Sequence, residues 1–457
     1  MRHKDGEIVI KKLLIANRGE IVARIIRDCR ELDIKTVAVY SDADQNAPYL
    51  KDVDEAYNLG PANPVKSYLN IEKLIEVIKI SRADAVHPGY GFLAENYAFA
   101  QAVVSSGAIW VGPPPEVLKA IESKCYCRRI ADSVGVPVLP GTNEPVRDAN
   151  EIFQFAAKYG YPFLLKLDKG GGGKGIESVN SEEKIRGAFE RLSRIGYMAF
   201  GNGDCYIEKQ VMMPRHIEVQ FLADHFGNYV CLGERECSIQ RRYQKIIEES
   251  PSPVITEEDR QTLYNYTIKL AKAMGYRNAG TIEFLRSEDG SFYFMEVNAR
   301  LQVEHPVTEL VTGVDIVKSQ LKIASGEKLN VEQEEINLRG HAIEARVYAE
   351  DPLSFVPSPG KIEKLIFPSA NGRFLRIDHA LKEGLSVPPY YDPMLAKVIA
   401  WGSTREEAIR RLREALAGFH IEGVKTIIPL NLMVLENNSF VSGQFYTGFV
   451  RELLAAK

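Results

Sequence analysis

The chain has 457 residues, 45% hydrophobic and 26% charged, which at about 150 residues per domain allows about three domains and is too apolar for disorder. Its 57 Lys+Arg against 61 Asp+Glu give a net charge of -4, so no global positive field exists to hold nucleic acid or an anionic membrane. No apolar run reaches the ~20 residues of a membrane helix and no signal-peptide segment is visible, so a soluble, cytoplasmic protein is expected.

From Lys12 to about Glu122 short apolar runs alternate with amphipathic segments. Leu13 to Ala16 reads as a strand, Ile21, Val22, Ile25, Ile26 and Cys29 mark one face of a helix, and Thr36 to Tyr40 reads as a second strand. A helix over 70–80, a strand at Ala85 to His87, a helix over 96–104 and a strand at Ile109 to Val111 continue the rhythm, which predicts a parallel sheet with crossover helices. The turn Asn17-Arg18-Gly19-Glu20 lacks G-x-G-x-x-G, so NAD is not implied. The middle third, 123–330, mixes helices and strands and holds the densest glycine. The last third, 331–457, reads as strands separated by Pro/Gly turns with one helix over 405–417. With no repeat and no low-complexity linker, the lobes are expected to pack together. The six cysteines, at 29, 125, 127, 205, 231 and 237, suit neither a disulfide scaffold nor a zinc cluster.

The glycine run lies in Lys166-Leu167-Asp168-Lys169-Gly170-Gly171-Gly172-Gly173-Lys174-Gly175, after the apolar strand Phe163 to Leu165. Consecutive glycines let backbone N–H groups close over phosphate oxygens, and the lysines add charge. Ile176 follows Gly175, so the Walker pattern fails and a strand-loop-strand flap is the form expected.

A second signal is Asp289-Gly290 between two strand-like runs, read as a two-residue hairpin loop. That register sets Glu283 opposite Glu296, where like charges destabilise unless a cation neutralises them. Asn298, two residues on, adds an amide oxygen, and two carboxylates with one amide suit Mg²⁺ completed by phosphates and water. Leu285, Phe292 and Phe294 are expected on the same face, which argues against a merely solvated acidic surface. Downstream, Arg300-Leu301-Gln302-Val303-Glu304-His305-Pro306 offers an arginine able to grip a small planar anion, with His305 read as structural.

Asn17-Arg18-Gly19-Glu20-Ile21, Lys66-Ser67-Tyr68-Leu69-Asn70, His87 to Asn96, Gln240-Arg241-Arg242, Glu296 to Pro306 and Pro389-Tyr390-Tyr391-Asp392, in this order, together resemble the biotin carboxylase family. The resemblance implies an α/β and α+β protein: an N-terminal Rossmann-like parallel sheet (8–122), a central ATP-grasp domain with a Gly-rich flap (123–330) and a β-rich C-terminal domain (331–457). It implies ATP- and bicarbonate-dependent carboxylation of biotin N1′ through carboxyphosphate. Lys124, Lys166, Gly172 and Gly173 would hold phosphates, Glu208, Lys209 and Val211 would frame adenine, and His216, Tyr243 and Leu285 would complete the ATP site. Glu283, Glu296 and Asn298 would hold two Mg²⁺ ions, with Mn²⁺ as the alternative metal. Lys245, Arg300, Gln302 and Val303 would cradle bicarbonate, Glu304 would deprotonate it, and Arg346 and Tyr90 would face biotin.

The sequence contains neither Ala-Met-Lys-Met nor a carboxyltransferase region, so biotin is expected on a separate carrier protein. The further partners expected are a second copy of the chain in a homodimer and a transferase subunit. Two departures stand out: Tyr243 where the family has His or Asn, and Leu167-Asp168-Lys169 where it has small residues, with Ile176 at a frequent Met position. Another carboxylate-activating ligase and a catalytically weakened subunit remain as alternative readings.

Overall fold

The computed structural model describes residues 9–170, 175–369 and 374–456. Its N-terminal part contains β1 (Lys12–Ile15), α1 (Glu20–Glu31), β2 (Lys35–Tyr40), β3 (Glu55–Asn58), α2 (Ile71–Ser81), β4 (Ala85–His87), α3 (Tyr97–Ser105) and β5 (Ile109–Trp110). The five strands form a wholly parallel sheet in the order β3-β2-β1-β4-β5. Leu13, Leu14 and Ile15 are all buried, as a parallel strand covered on both faces requires. The sequence reading missed β3, an edge strand whose residues alternate between partly and fully exposed and so present no apolar run.

Helices α4 (Pro115–Ile121) and α5 (Lys124–Ser133) lead to a small lobe of α6 (Ala149–Tyr159), β6 (Phe163–Leu167), β7 (Ile176–Val179), α7 (Ile185–Phe200) and β8 (Cys205–Lys209). Its antiparallel sheet runs β7-β6-β8, so the expected strands do flank the glycine run, while Gly172 and Gly173 lie outside the described residues.

The main sheet begins with β9 (Arg215–Ala223), β10 (Tyr229–Arg241) and β11 (Gln244–Ser250), followed after α8 (Glu257–Ala273) by β12 (Asn278–Arg286) and β13 (Phe292–Asn298). Next come α9 (His305–Thr312), α10 (Ile316–Ala324), β14 (His341–Tyr348), β15 (Gly360–Lys361), β16 (Lys364–Ile366), β17 (Leu375–His379), β18 (Ser386–Val387) and β19 (Met394–Gly402). The chain closes with α11 (Arg405–Ala417), β20 (His420–Glu422), α12 (Ile428–Glu436), α13 (Asn438–Val441) and α14 (Phe449–Ala455). Among the described residues the last third therefore carries four α-helices rather than the single one read from the sequence. Its strands β14, β19 and β17 extend the central ones into one eight-stranded sheet, ordered β13-β12-β9-β10-β11-β14-β19-β17. The two regions share backbone hydrogen bonds between β11 and β14, which join them edge to edge.

The β12–β13 hairpin differs from the sequence reading in its loop. Ser287 N–H donates to Ser291 O at 2.9 Å and Gly290 lies at φ 87°, so the loop is the three residues Glu288, Asp289 and Gly290. Near the loop Arg286 pairs with Phe292 and Phe284 with Phe294, one residue out of the expected register. A bulge at Met295, opposite the Glu283–Phe284 step, restores it, and Glu283 does face Glu296. The bulge also moves Phe292 and Phe294 into the apolar core with Phe284 and Ile282, away from the carboxylates, leaving Leu285 outside that core.

Candidate active site

The paired carboxylates belong to a longer row. Glu283 on β12 is flanked by Glu296 on β13 and by Glu218 on β9, and Glu218 in turn faces Arg235 on β10. Three adjacent acids in a sheet repel one another, and the surrounding cations show how the fold tolerates them. Lys245 on β11 extends its ammonium to Glu218 (2.6 Å), Glu283 (2.9 Å) and Glu304 (2.6 Å). Arg235 holds Glu218 at 2.5 Å, His216 Nε2 lies 3.0 Å from Glu283 and Lys124 reaches Glu296 at 2.8 Å. Burial opposes ionisation of Glu283, but Lys245 and His216 outweigh it and hold this carboxyl well below the usual range. Gln240 presents its amide to His216 Nδ1 at 2.7 Å, which leaves Nε2 turned to the acids.

The segment after β13 is shaped by Arg300. Its guanidinium donates to Glu95 (3.0 Å), to Gln302 Oε1 (3.0 Å) and to Asn298 Oδ1 (3.0 Å), while Glu95 also accepts the Ala299 N–H at 2.9 Å. Arg300, Gln302 and Asn298 are thereby gathered beside the carboxylate row. Glu304 is fully buried between two cations, with Lys245 on one oxygen and Arg346 on the other at 3.0 Å. Burial disfavours its charge, yet Lys245, Arg346 and Arg235 outweigh it and hold this carboxyl well below the usual range. His305 is buried, its Nδ1 2.8 Å from the Gln302 carbonyl, and burial with the charge of Lys397 holds it neutral, in keeping with a structural role.

Arg346 on β14 is aimed by its neighbours: Nε donates to Glu248 (2.6 Å), Nη1 to the Tyr348 hydroxyl (3.2 Å) and Nη2 to Glu304. Glu248 faces Glu344 in the ladder, and burial raises both acids, Glu248 to about 7, despite the arginine. Tyr90 is fixed by its hydroxyl on Glu20. Its turn is clamped by Asn17, whose amide donates to the carbonyls of Pro88 (2.6 Å) and Tyr90 (2.8 Å); a Cβ at Gly89 would stand 2.8 Å from that amide. Two of the sequence motifs are thus halves of one contact.

On the opposite side, Lys166 and Arg128 share Glu208 at 2.6 and 2.5 Å. Both cations outweigh the cost of burying that carboxylate and keep it charged. Lys209 turns its ammonium to the carbonyls of Tyr159 (3.0 Å) and Gly160 (3.2 Å), so only its backbone borders the passage from β8 to β9 in which Val211 lies. Leu285 stands opposite His216 on the row's face. Asp168 is engaged at the start of α5: its carboxylate accepts from the Ser123 hydroxyl (3.0 Å) and the Cys125 N–H (2.8 Å), joining Ser123 in capping the helix that carries Lys124. Lys169 pairs with Glu122 at 3.5 Å. Tyr243 is 56% exposed. It sits with Arg242 in the two-residue turn joining β10 to β11, at φ 67° and 48°, the conformation of a tight hairpin in which Asn is far more at ease than Tyr.

Oxygen donors on adjacent strands, already needing positive charge, fit a hard divalent cation, and His216, Glu218 and Glu283 bring ligand atoms within 4.8 Å of one another. The same holds for Glu218, Cys237 and Glu304, but burial and the nearby acids push the Cys237 thiol well up, so it stays protonated. All six cysteines are free and buried. Among the described residues no helix is long and apolar enough to cross a membrane.

Sequence reasoning missed Glu20, Glu95, Glu218, Arg235 and Glu248. Glu20 and Glu95 lay inside quoted motifs without a partner to interpret them. Glu218 and Glu248 sit in strands buried along their whole length or nearly so, where an acid is conspicuous, and that signal could have found them.

Residues 9–118 match the biotin carboxylase N-terminal domain, 123–332 the ATP-binding domain of the carbamoyl-phosphate synthase L chain, and 344–452 the biotin carboxylase C-terminal domain. The chain is 48% identical over 449 residues to the biotin carboxylase of Halalkalibacterium halodurans, covering 98% of this chain and 99% of that one. It is 44% identical over 445 residues to the small subunit of 2-oxoglutarate carboxylase from Hydrogenobacter thermophilus, covering 97% and 94%. Among solved structures, the biotin carboxylase domain dimer of Hydrogenobacter thermophilus 2-oxoglutarate carboxylase, in complex with MgADP, ADP and bicarbonate, superposes with a TM-score of 0.95 at 44% identity, covering 97% and 98%.

Proposed function

The chain belongs to the biotin carboxylase family, ATP-grasp ligases of ATP- and bicarbonate-dependent carboxylation, and on that premise we propose that it carboxylates N1′ of biotin on a separate carrier protein through carboxyphosphate. The observation that carries this reading is Glu304 clasped between Lys245 and Arg346, one cation on each oxygen. Such an arrangement joins a bicarbonate site to a biotin site through a single base.

In this reading Arg300, Lys245, Gln302 and the Val303 backbone hold bicarbonate, and Glu304 takes its proton. The freed oxygen attacks the γ-phosphorus of ATP and ADP leaves. Lys124 and Lys166 hold the phosphates with the flap glycines Gly172 and Gly173, Glu208, Lys209, Val211, His216 and Leu285 surround the nucleoside, and Tyr243 stands near the phosphates. Magnesium, held by Glu283, Glu296 and Asn298, would neutralise phosphate charge. Carboxyphosphate then breaks its P–O–C link to CO₂ and phosphate, phosphate accepts the N1′ proton of biotin, and nitrogen attacks CO₂. Arg346 stabilises the charge that develops on the ureido oxygen, and Tyr90 lines the biotin side. The segments 8–122, 123–330 and 331–457 act as the three domains of one catalytic subunit. Partners are a biotin carrier protein, a second copy of the chain and a carboxyltransferase subunit, consistent with a solved neighbour that is a dimer and a relative that is the small subunit of its carboxylase. The transferase chooses the final acceptor, whether acetyl-CoA, propionyl-CoA, pyruvate or another 2-oxo acid.

Comparing half-reactions tests the reading. Arg346→Ala is expected to lower carboxybiotin formation by about 10²–10³-fold, the scale of losing one preorganised donor. Biotin-independent ATP cleavage should fall less than about tenfold, whereas Glu304→Ala should damage both. Equal losses in Arg346→Ala would assign the arginine to bicarbonate or to structure and refute this division of labour.

A further inference from the structure

Lys397 lies in the middle of β19 with its side chain fully buried, and none of the roles above uses it. A buried ammonium is retained only where it is paired and hydrogen-bonded. Its Nζ donates to the Val303 carbonyl at 2.9 Å and lies 3.0 Å from Glu20 Oε1 and 3.7 Å from Asp378. The contacts come from three separate parts of the chain: the loop after β13, the first residue of α1, and β17. Arg346 is its direct neighbour across the β14–β19 ladder, and Asp378 its neighbour across β17–β19.

Two consequences follow from covalent geometry. The Val303 carbonyl and the Glu304 N–H share one rigid peptide plane. A donor fixed on that carbonyl therefore sets where the Glu304 side chain starts, and with it the end of the Arg300 to Glu304 cradle. Glu20 receives the ammonium on the same oxygen that accepts the Tyr90 hydroxyl, so the position of Lys397 also sets the aromatic ring on the biotin side. The ammonium lies 5.9 Å from the centroid of that ring.

We propose that Lys397 is a positioning residue that holds the bicarbonate cradle and the biotin-facing Tyr90 in mutual register, with Glu20 as the intermediary toward biotin alone. The proposal rests on the function proposed above. Lys397 acts from behind the site through the Val303 carbonyl and Glu20 and touches neither substrate in this role. The side chain of Glu304 has its own cations, Lys245 and Arg346, so Lys397 governs the placement of the base and leaves its charge to them.

The test uses the full chain with free biotin, measuring bicarbonate KM in biotin-independent ADP release and biotin KM in the complete reaction. The unaltered chain must first show bicarbonate-dependent ADP release; its failure to do so would overturn the proposed function rather than the role of Lys397. Lys397→Met is expected to raise the KM for bicarbonate and that for biotin tenfold or more each, with KM for ATP within twofold. Glu20→Ala should raise biotin KM by a similar factor while bicarbonate KM stays within twofold, and Glu20→Gln, which keeps an oxygen for the Tyr90 hydroxyl, should restore most of the loss. A merely structural lysine would instead lower kcat and the folded fraction without this split. Bicarbonate KM within twofold of the parent in Lys397→Met overturns the proposal. Should that variant fail to fold, Glu20→Ala decides: bicarbonate and biotin KM rising by equal factors, or neither rising, overturns it as well.

Discussion

Replacing Lys245 by Met removes a single charge that serves three acids, and the structure fixes how much that should cost. Glu218 keeps Arg235 at 2.5 Å and Glu304 keeps Arg346 at 3.0 Å, so only Glu283, left with His216 at 3.0 Å, loses its main partner. The expected destabilisation at pH 8 is therefore that of one broken buried pair, about 3–5 kcal/mol, and not three times that figure. The pH dependence separates charge from packing. In the parent, Glu283 and Glu304 sit well below the ordinary carboxylate range, so their contribution is present above the unfolded value and is lost only as pH falls through the depressed folded one. In the variant, burial and the neighbouring acids lift Glu283 above its unfolded value, so stability declines as pH rises through that interval. The gap between the two proteins should widen from pH 5 to pH 8, by about 1.4 kcal/mol for each unit by which the group is displaced. Urea unfolding at the two pH values, followed by circular dichroism, measures it. An equal loss at both would show that Lys245 stabilises by packing alone and refute the electrostatic argument. Bicarbonate-dependent ADP release should be abolished at either pH.

Glu296→Gln should leave the fold intact, because repulsion with Glu283 is relieved, yet reduce magnesium-dependent ADP release at least about 10²-fold; near-normal turnover would remove the paired carboxylates from the proposed metal site. Tyr243→Asn should raise the unfolding midpoint by the equivalent of about 1 kcal/mol, because a bulky residue leaves the left-handed conformation at φ 67°. ATP turnover should change little, the ring being exposed, and a lowered midpoint would show that the phenol makes a stabilising contact of its own.

The sequence alone determined whatever depends on short range. The N-terminal strands and helices other than β3 were legible because each apolar stripe is complete within one element, as in α1, where Ile21, Val22, Ile25, Ile26 and Cys29 all turn inward. The Glu283–Glu296 pair was legible because a hairpin joins neighbours, although the agreement arose from two offsetting departures, a longer loop and a bulge, that no alternation of residues reveals. The motif residues from Asn298 to Glu304 were recognisable as a string. What gives them chemistry was decided by the order of the strands. Glu218 stands beside Glu283 because β9 inserts next to β12, and Lys245 reaches Glu304 across 59 residues of sequence. Arg346 meets Glu304 because β14 joins the far side of β11. Lys397 closes on Val303 from a third region. Local periodicity records which face of a strand is buried but carries no information on which distant strand lies beside it. That choice follows from the packing of the whole sheet, and only there do the buried acids find the cations that keep them charged.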